Sequence, residues 1–183
     1  HATFVRSDIA HGRIVGITHP ENVHTGASLA LPPLKPWPPT PDRYARPLLA
    51  IDTVRYVGDP FAVALGETAA EAVDSATQVI ADIEPMTAVI DVEQSEEIAY
   101  ETEPLIDDGV LDEAEIVIEA RFVNQKLAPV PMETNSILVV PRKDRAGLDI
   151  WVSTQVPWDI RDSVAAALKL EPTRIRVIAP AVG

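Results

Sequence analysis

Two side chains stand where a polar group could do chemistry. Gln155 lies in the run Ser153-Thr154-Gln155-Val156-Pro157, which joins an alternating apolar segment to a helical one. Strand-to-helix switches are where α/β folds commonly present groups to ligands. Glu133 is an isolated carboxylate in the polar loop 125–135, between two apolar runs. Loops carry a large share of binding and catalytic groups. On residue type alone, Gln155 reads as a turn residue and Glu133 as a loop carboxylate.

Other chemistries lack their residues. His1, His11, His19 and His24 are spaced by ten, eight and five residues, which fits no helical ligand pair, and no metal site is expected there. The chain has no cysteine, which excludes disulfides, thiolate zinc sites and iron–sulfur ligation within it. There is no G-x-G-x-x-G, P-loop or G-x-S-x-G run. The acidic stretch 91–115 lacks the alternating ligands and central glycine of a calcium loop and reads as a solvated linker. A formal net charge of −13 argues against a nucleic-acid surface. No apolar run reaches the ~20 residues of a membrane span, so neither nucleic acid nor membrane is an expected partner. The missing cysteines suit a cytoplasmic location.

The elements that must position Gln155 are well marked. Leu148, Ile150 and Val152 alternate with Asp149, Trp151 and Ser153, the period of a half-buried strand. Pro157 suits a first helical position. Ile160, Val164 and Leu168, with Ala167 beside them, predict the buried face of a helix. The run 175–178 predicts a second strand, giving strand, helix, strand. Upstream, 4–7 and 13–17 read as strands around a turn at 10–12, and the Pro-rich stretch 31–41 as an extended surface connector. Strands are predicted at 54–57 and 60–65. Thr68 and Glu71 form a capping-box signature before a helix whose apolar face is Ala72, Val73, Ala76, Val79 and Ile80. Extended chain returns at Ile83 and 87–90, and strands are predicted at 116–123 and 136–140, the latter followed by a hairpin-like turn at 142–147.

Several of these runs, taken in order, resemble the large subunit of the molybdenum hydroxylases, the family of xanthine dehydrogenase, aldehyde oxidase and aerobic carbon monoxide dehydrogenase. Arg6-Ser7-Asp8-Ile9-Ala10-His11-Gly12-Arg13-Ile14, then Val54-Arg55-Tyr56-Val57-Gly58-Asp59-Pro60-Phe61-Ala62-Val63-Ala64, resemble its α/β hammerhead domain. Ala128-Pro129-Val130-Pro131-Met132-Glu133 and Trp151-Val152-Ser153-Thr154-Gln155 resemble the start of its molybdopterin-binding domain, and 174–183 resembles the approach to a Gly-rich cofactor loop. The connector before Val54 is shorter than in relatives, and the turn at 81–86 is slightly trimmed.

The resemblance implies an α+β fold: a hammerhead domain over 1–100, an acidic linker over 101–115, and a truncated molybdopterin-binding domain over 116–183. It implies a molybdenum–molybdopterin cofactor, in the cytosine dinucleotide form, with iron–sulfur clusters and FAD on partner subunits or domains. Gln155 and Gly183 become cofactor-binding residues, with Gln155 beside the metal, where its amide can hydrogen-bond an oxo ligand. Glu133 becomes a structural or supporting glutamate. The parent enzyme would oxidise or hydroxylate a small molecule (an aldehyde, purine, heterocycle or carbon monoxide) with water-derived oxygen. The chain begins at His1 and ends at Gly183; it is expected to be a piece of that enzyme, without catalytic residues or metal ligands of its own. Alone it is expected to be inactive and to self-associate as a homo-oligomer. The alternative is a non-catalytic interaction or assembly module built on the hammerhead fold.

Overall fold

The computed structural model describes residues 1–103, 109, 112, 114–125, 127–143 and 147–181. They fall into two compact units, His1–Tyr100 and Glu101–Gly183.

In the first unit β1 (Ala2–Arg6), β2 (Gly12–Thr18) and β3 (Val23–Thr25) lead into a one-turn helix α1 (Gly26–Leu29). β4 (Thr53–Val54), β5 (Pro60–Leu65), α2 (Ala69–Thr77) and β6 (Ile80–Pro85) follow. They make two antiparallel sheets, of order β1-β5-β3 and β4-β2-β6. The two N-terminal strands therefore form as expected but belong to different sheets. Val23, Ala50, Val54, Phe61, Ala62 and Ala64 are the buried core, with Val5, Ile14, Ile17, Ala76, Val79, Ala81 and Ile83 packed against it. The capping box at α2 is present in both directions: Glu71 N–H donates to Thr68 Oγ1 at 3.2 Å and Thr68 N–H to Glu71 Oε2 at 3.3 Å. Two of the orphan donors at the helix start are thereby satisfied.

Four expectations need correction. The strand at 54–57 stops at Val54, because the Asp59 carboxylate takes the Arg55 N–H at 2.9 Å and Gly58, at φ 95°, turns the chain. α2 ends at Thr77, so Ile80 lies in β6 and is exposed, and Val73 is half exposed; of the expected face, Ala72 is fully buried and Ala76 and Val79 pack against the core. Extended chain returns at Ile83 as expected, inside the strand Ile80–Pro85, but that strand ends before 87–90. Residues 116–123 form no strand, and Ile116, Ile118, Phe122 and Val123 are exposed. Alternation there had nothing to pair with among the described residues.

The Pro-rich stretch is a surface connector, as read. One bridge holds it, Leu34 N–H to Arg46 O at 2.7 Å and Arg46 N–H to Leu34 O at 3.1 Å. The acidic stretch 101–115 lies largely outside the described residues.

The second unit contains β7 (Ile137–Pro141), β8 (Leu148–Val152), α3 (Pro157–Leu168) and β9 (Ile175–Ile178). The sheet order is β7-β8-β9, with β7 antiparallel and β9 parallel to β8. Ile150, Ala165 and Ile175 are buried together, with Leu148, Val152, Val164, Leu170 and Val177 around them. α3 thus turns Ala165 and Val164 inward, while Leu168 is half exposed. Of the turn 142–147, residues 144–146 lie outside the described ones; the Arg142 N–H donates to Gly147 O at 2.9 Å across it. Gly147 is a place where only glycine fits, since a Cβ there would stand 2.2 Å from the Arg174 carbonyl oxygen.

Ile150 is 1% exposed at the centre of this sheet. Ile150→Ala is expected to cost about 2–5 kcal/mol, read as a lower urea midpoint, with amide exchange accelerating in β8 and β9 and not in β5.

Candidate functional site

The parallel pairing of β8 and β9 decides where the polar residues emerge. Ile137 pairs with Val152, and the ladder runs one step further, Ser153 N–H donating to Ser136 O at 3.1 Å. On the other side Trp151 pairs with Ile178. Three stretches therefore meet the same end of the sheet: the chain arriving at Ser136, the turn leaving Ser153, and the chain leaving Ile178. Gln155 lies two residues beyond Ser153 and Glu133 three residues before Ser136. This is the carboxyl end of the parallel pair, where open α/β sheets place ligands.

Within the turn, the Val156 N–H donates to Thr154 Oγ1 at 3.1 Å, and the Val156 carbonyl accepts the Ile160 N–H at 3.2 Å, which starts α3. Val156 is the N-cap residue and Pro157 holds a first-turn position. Asp159 sits in the first turn, the favourable sign for the positive end of the helix. Gln155 is exposed and Glu133 half-buried. Gly183, the third expected site residue, lies outside the described residues; the described chain runs toward it as far as Ala181.

Two features of this region were missed in the sequence. The Thr154 hydroxyl is one, although a threonine two residues ahead of a helix start is a recognised turn signal. The other is the Arg161 guanidinium, which lies 4.9 Å from the centroid of the exposed Trp158 ring and 2.7 Å from Asp162 Oδ1. The hydrogen bond to Asp162 raises its pKa above the ordinary arginine value, so it is a permanent cation.

All four histidines belong to the first unit. His11 Nδ1 is 2.7 Å from the Thr87 carbonyl oxygen and His19 Nδ1 is 2.8 Å from that of Pro20, both within the first unit. Among the described residues no cluster of three or more His, Cys, Asp or Glu side chains could hold a metal ion. No helix among them is long and apolar enough to cross a membrane.

A helix crosses between the parallel strands, with polar turns at their carboxyl ends, the place where open α/β sheets bind ligands. Comparison with known proteins makes this specific. The family model of the molybdopterin cofactor-binding domain matches residues 73–183. The nicotine 6-hydroxylase large subunit of Paenarthrobacter nicotinovorans is 29% identical over 215 residues, covering 100% of this chain and 26% of its own. Rat (Rattus norvegicus) aldehyde oxidase 1 is 30% identical over 180 residues, 94% of this chain and 14% of its own. Quinoline 2-oxidoreductase from Pseudomonas putida 86 superposes with a TM-score of 0.82 at 25% identity, covering 100% of this chain and 27% of that one. The fold is also that of the Cu,Mo-CO dehydrogenase, with a TM-score of 0.79 at 23% identity over 100% of this chain and 27% of that one. The chain belongs to the molybdopterin cofactor-binding family, with the α+β fold of molybdenum hydroxylase large subunits, and spans about a quarter of the length of the nicotine 6-hydroxylase subunit.

An amide offers a donor and an acceptor without charge, a donor set that suits a polar cofactor group, and Gln155 is exposed in the turn leaving the carboxyl end of β8.

Because Gln155 is exposed, Gln155→Ala is expected to leave stability within about 0.5 kcal/mol of wild type. Thermal and urea unfolding of the 183-residue chain measure this, and a larger loss would mean that the side chain is structural.

Proposed function

We propose that this chain contributes the amide side of a molybdenum site in an enzyme that oxidises or hydroxylates a small molecule with water-derived oxygen. The observation that carries this reading is the convergence of the Gln155 turn and the chain leaving Ile178 at one sheet end, inside the stretch matched by the family model. When bound, the molybdenum–molybdopterin group supplies the redox chemistry. Gln155 would help to hold and orient that group through a hydrogen bond from its amide. Gly183 and the residues before it form the backbone approach to the cofactor, for which we favour the cytosine dinucleotide form. Glu133 supports the turn from the segment that leads into β7. Residues 1–100 would be the hammerhead domain, 101–115 the linker and 116–183 the start of the molybdopterin-binding domain.

Electrons have to leave by another route than this chain. It has no cysteine to ligate an iron–sulfur cluster, so such clusters would sit on partner subunits or domains, and the reading assigns the flavin to them as well. The subunit make-up of relatives fits this division: one is a large subunit and another, from the same organism, the gamma subunit of the 6-hydroxypseudooxynicotine dehydrogenase complex. A cytoplasmic location suits such an assembly. The substrate is an aldehyde, a purine, another heterocycle or carbon monoxide.

The test is Gln155→Ala in the large subunit carrying this sequence, expressed with its electron-transfer partners. Molybdenum content is expected to hold while kcat falls about 10–100-fold, the usual effect of losing a group that hydrogen-bonds a metal's ligand. Unchanged kcat would overturn the assignment.

The reading also includes self-association of the isolated chain. β7 is an edge strand whose Ile137, Leu138, Val139 and Val140 are all exposed, an open template for pairing. Light scattering of the 183-residue chain is expected to show a mass that rises with concentration and returns toward the monomer in Leu138→Lys. A constant monomer mass would count against it.

A further inference from the structure

We infer that Thr154 is a positioning residue for Gln155, holding the turn so that the amide faces the sheet end; this deepens the reading proposed above and rests on it. The connection between β8 and α3 is short, and its residues are anchored on both sides of Gln155. Ser153 is fixed by the ladder, its N–H donating to Ser136 O at 3.1 Å. Val156 is fixed by α3, its carbonyl accepting the Ile160 N–H at 3.2 Å. Thr154 Oγ1 then accepts the Val156 N–H at 3.1 Å, closing a small ring over Gln155. Side-chain hydroxyls that bond a backbone N–H two residues on substitute for a backbone turn.

The anchors act on different degrees of freedom. The ladder and the helix determine where the turn begins and ends. The threonine hydroxyl determines the path between them, and with it the direction of the Gln155 Cα–Cβ bond. Val156 offers no side-chain oxygen of its own to cap α3. Pro157 has no N–H to offer, so the Val156 N–H is the last backbone donor before the helix on which this path can be pinned. Gln155 is exposed, so its direction depends on the backbone more than on packing.

NMR of the cofactor-free 183-residue chain tests this independently of activity. In Thr154→Val, which keeps the shape and removes the acceptor, the Val156 amide is expected to exchange roughly three- to tenfold faster. The Gln155 Cα–Hα residual dipolar coupling is expected to shrink toward its motional average, while amides around Ala165 keep their protection. Thr154→Ser is expected to restore both values, which a merely structural threonine methyl would not allow. Faster Val156 exchange with an unchanged Gln155 coupling would overturn the inference, as would unchanged values throughout. Loss of protection around Ala165 in the valine variant leaves the decision to Thr154→Ser, whose Gln155 coupling must then match wild type. Failure here leaves the role of Gln155 standing; failure of Gln155→Ala to slow the enzyme leaves the turn geometry standing.

Discussion

The parallel pairing of β8 with β9 is the constraint on which the second unit depends. Antiparallel neighbours can be joined by a tight turn, but parallel ones require a crossover, and here the crossover is α3. Once Ile150 pairs with Val177, the helix must lie over the sheet with Ala165 against Ile150 and Ile175. The switch into the helix must also open at the carboxyl end of β8. Gln155 is therefore placed by a topological necessity, and Gly147 permits it by letting β8 start close against the Arg174 carbonyl.

The two units solve their packing differently. The first buries four alanines, Ala50, Ala62, Ala64 and Ala72, alongside Val23, Leu49, Val54 and Phe61. A packed core of this kind resists any change of volume. The second has a smaller core centred on Ile150, and its sheet keeps a wholly apolar edge strand exposed. Its stability rests on few contacts, and the same lightness leaves its polar turns accessible.

The most legible features in the sequence were those whose signals are local. The Thr68–Glu71 box, Pro157 at the start of α3 and the alternation of β8 each state their own geometry. Less legible were features that depend on a distant partner. Residues 116–123 have the composition of a strand but stay exposed, because composition does not supply a neighbour. The end of β4 was hidden for the opposite reason: the Asp59 side chain competes for the Arg55 N–H that a longer strand would have used. Gln155 and Glu133 were visible only as polar residues in turns. What joins their segments is the step from Ser153 to Ser136, which is a property of register and is written in neither turn.

Pairing distance along the chain has a consequence for how the first unit comes into being. Ala2 pairs with Leu65 and Thr18 with Ile80, separations of roughly sixty residues that make closure slow. During synthesis β1 and β2 leave the ribosome long before β5 and β6 exist. Their hydrogen-bonding edges stay open in the meantime, and the six prolines among residues 31–41 thin out the connector N–H groups that could pair with them wrongly.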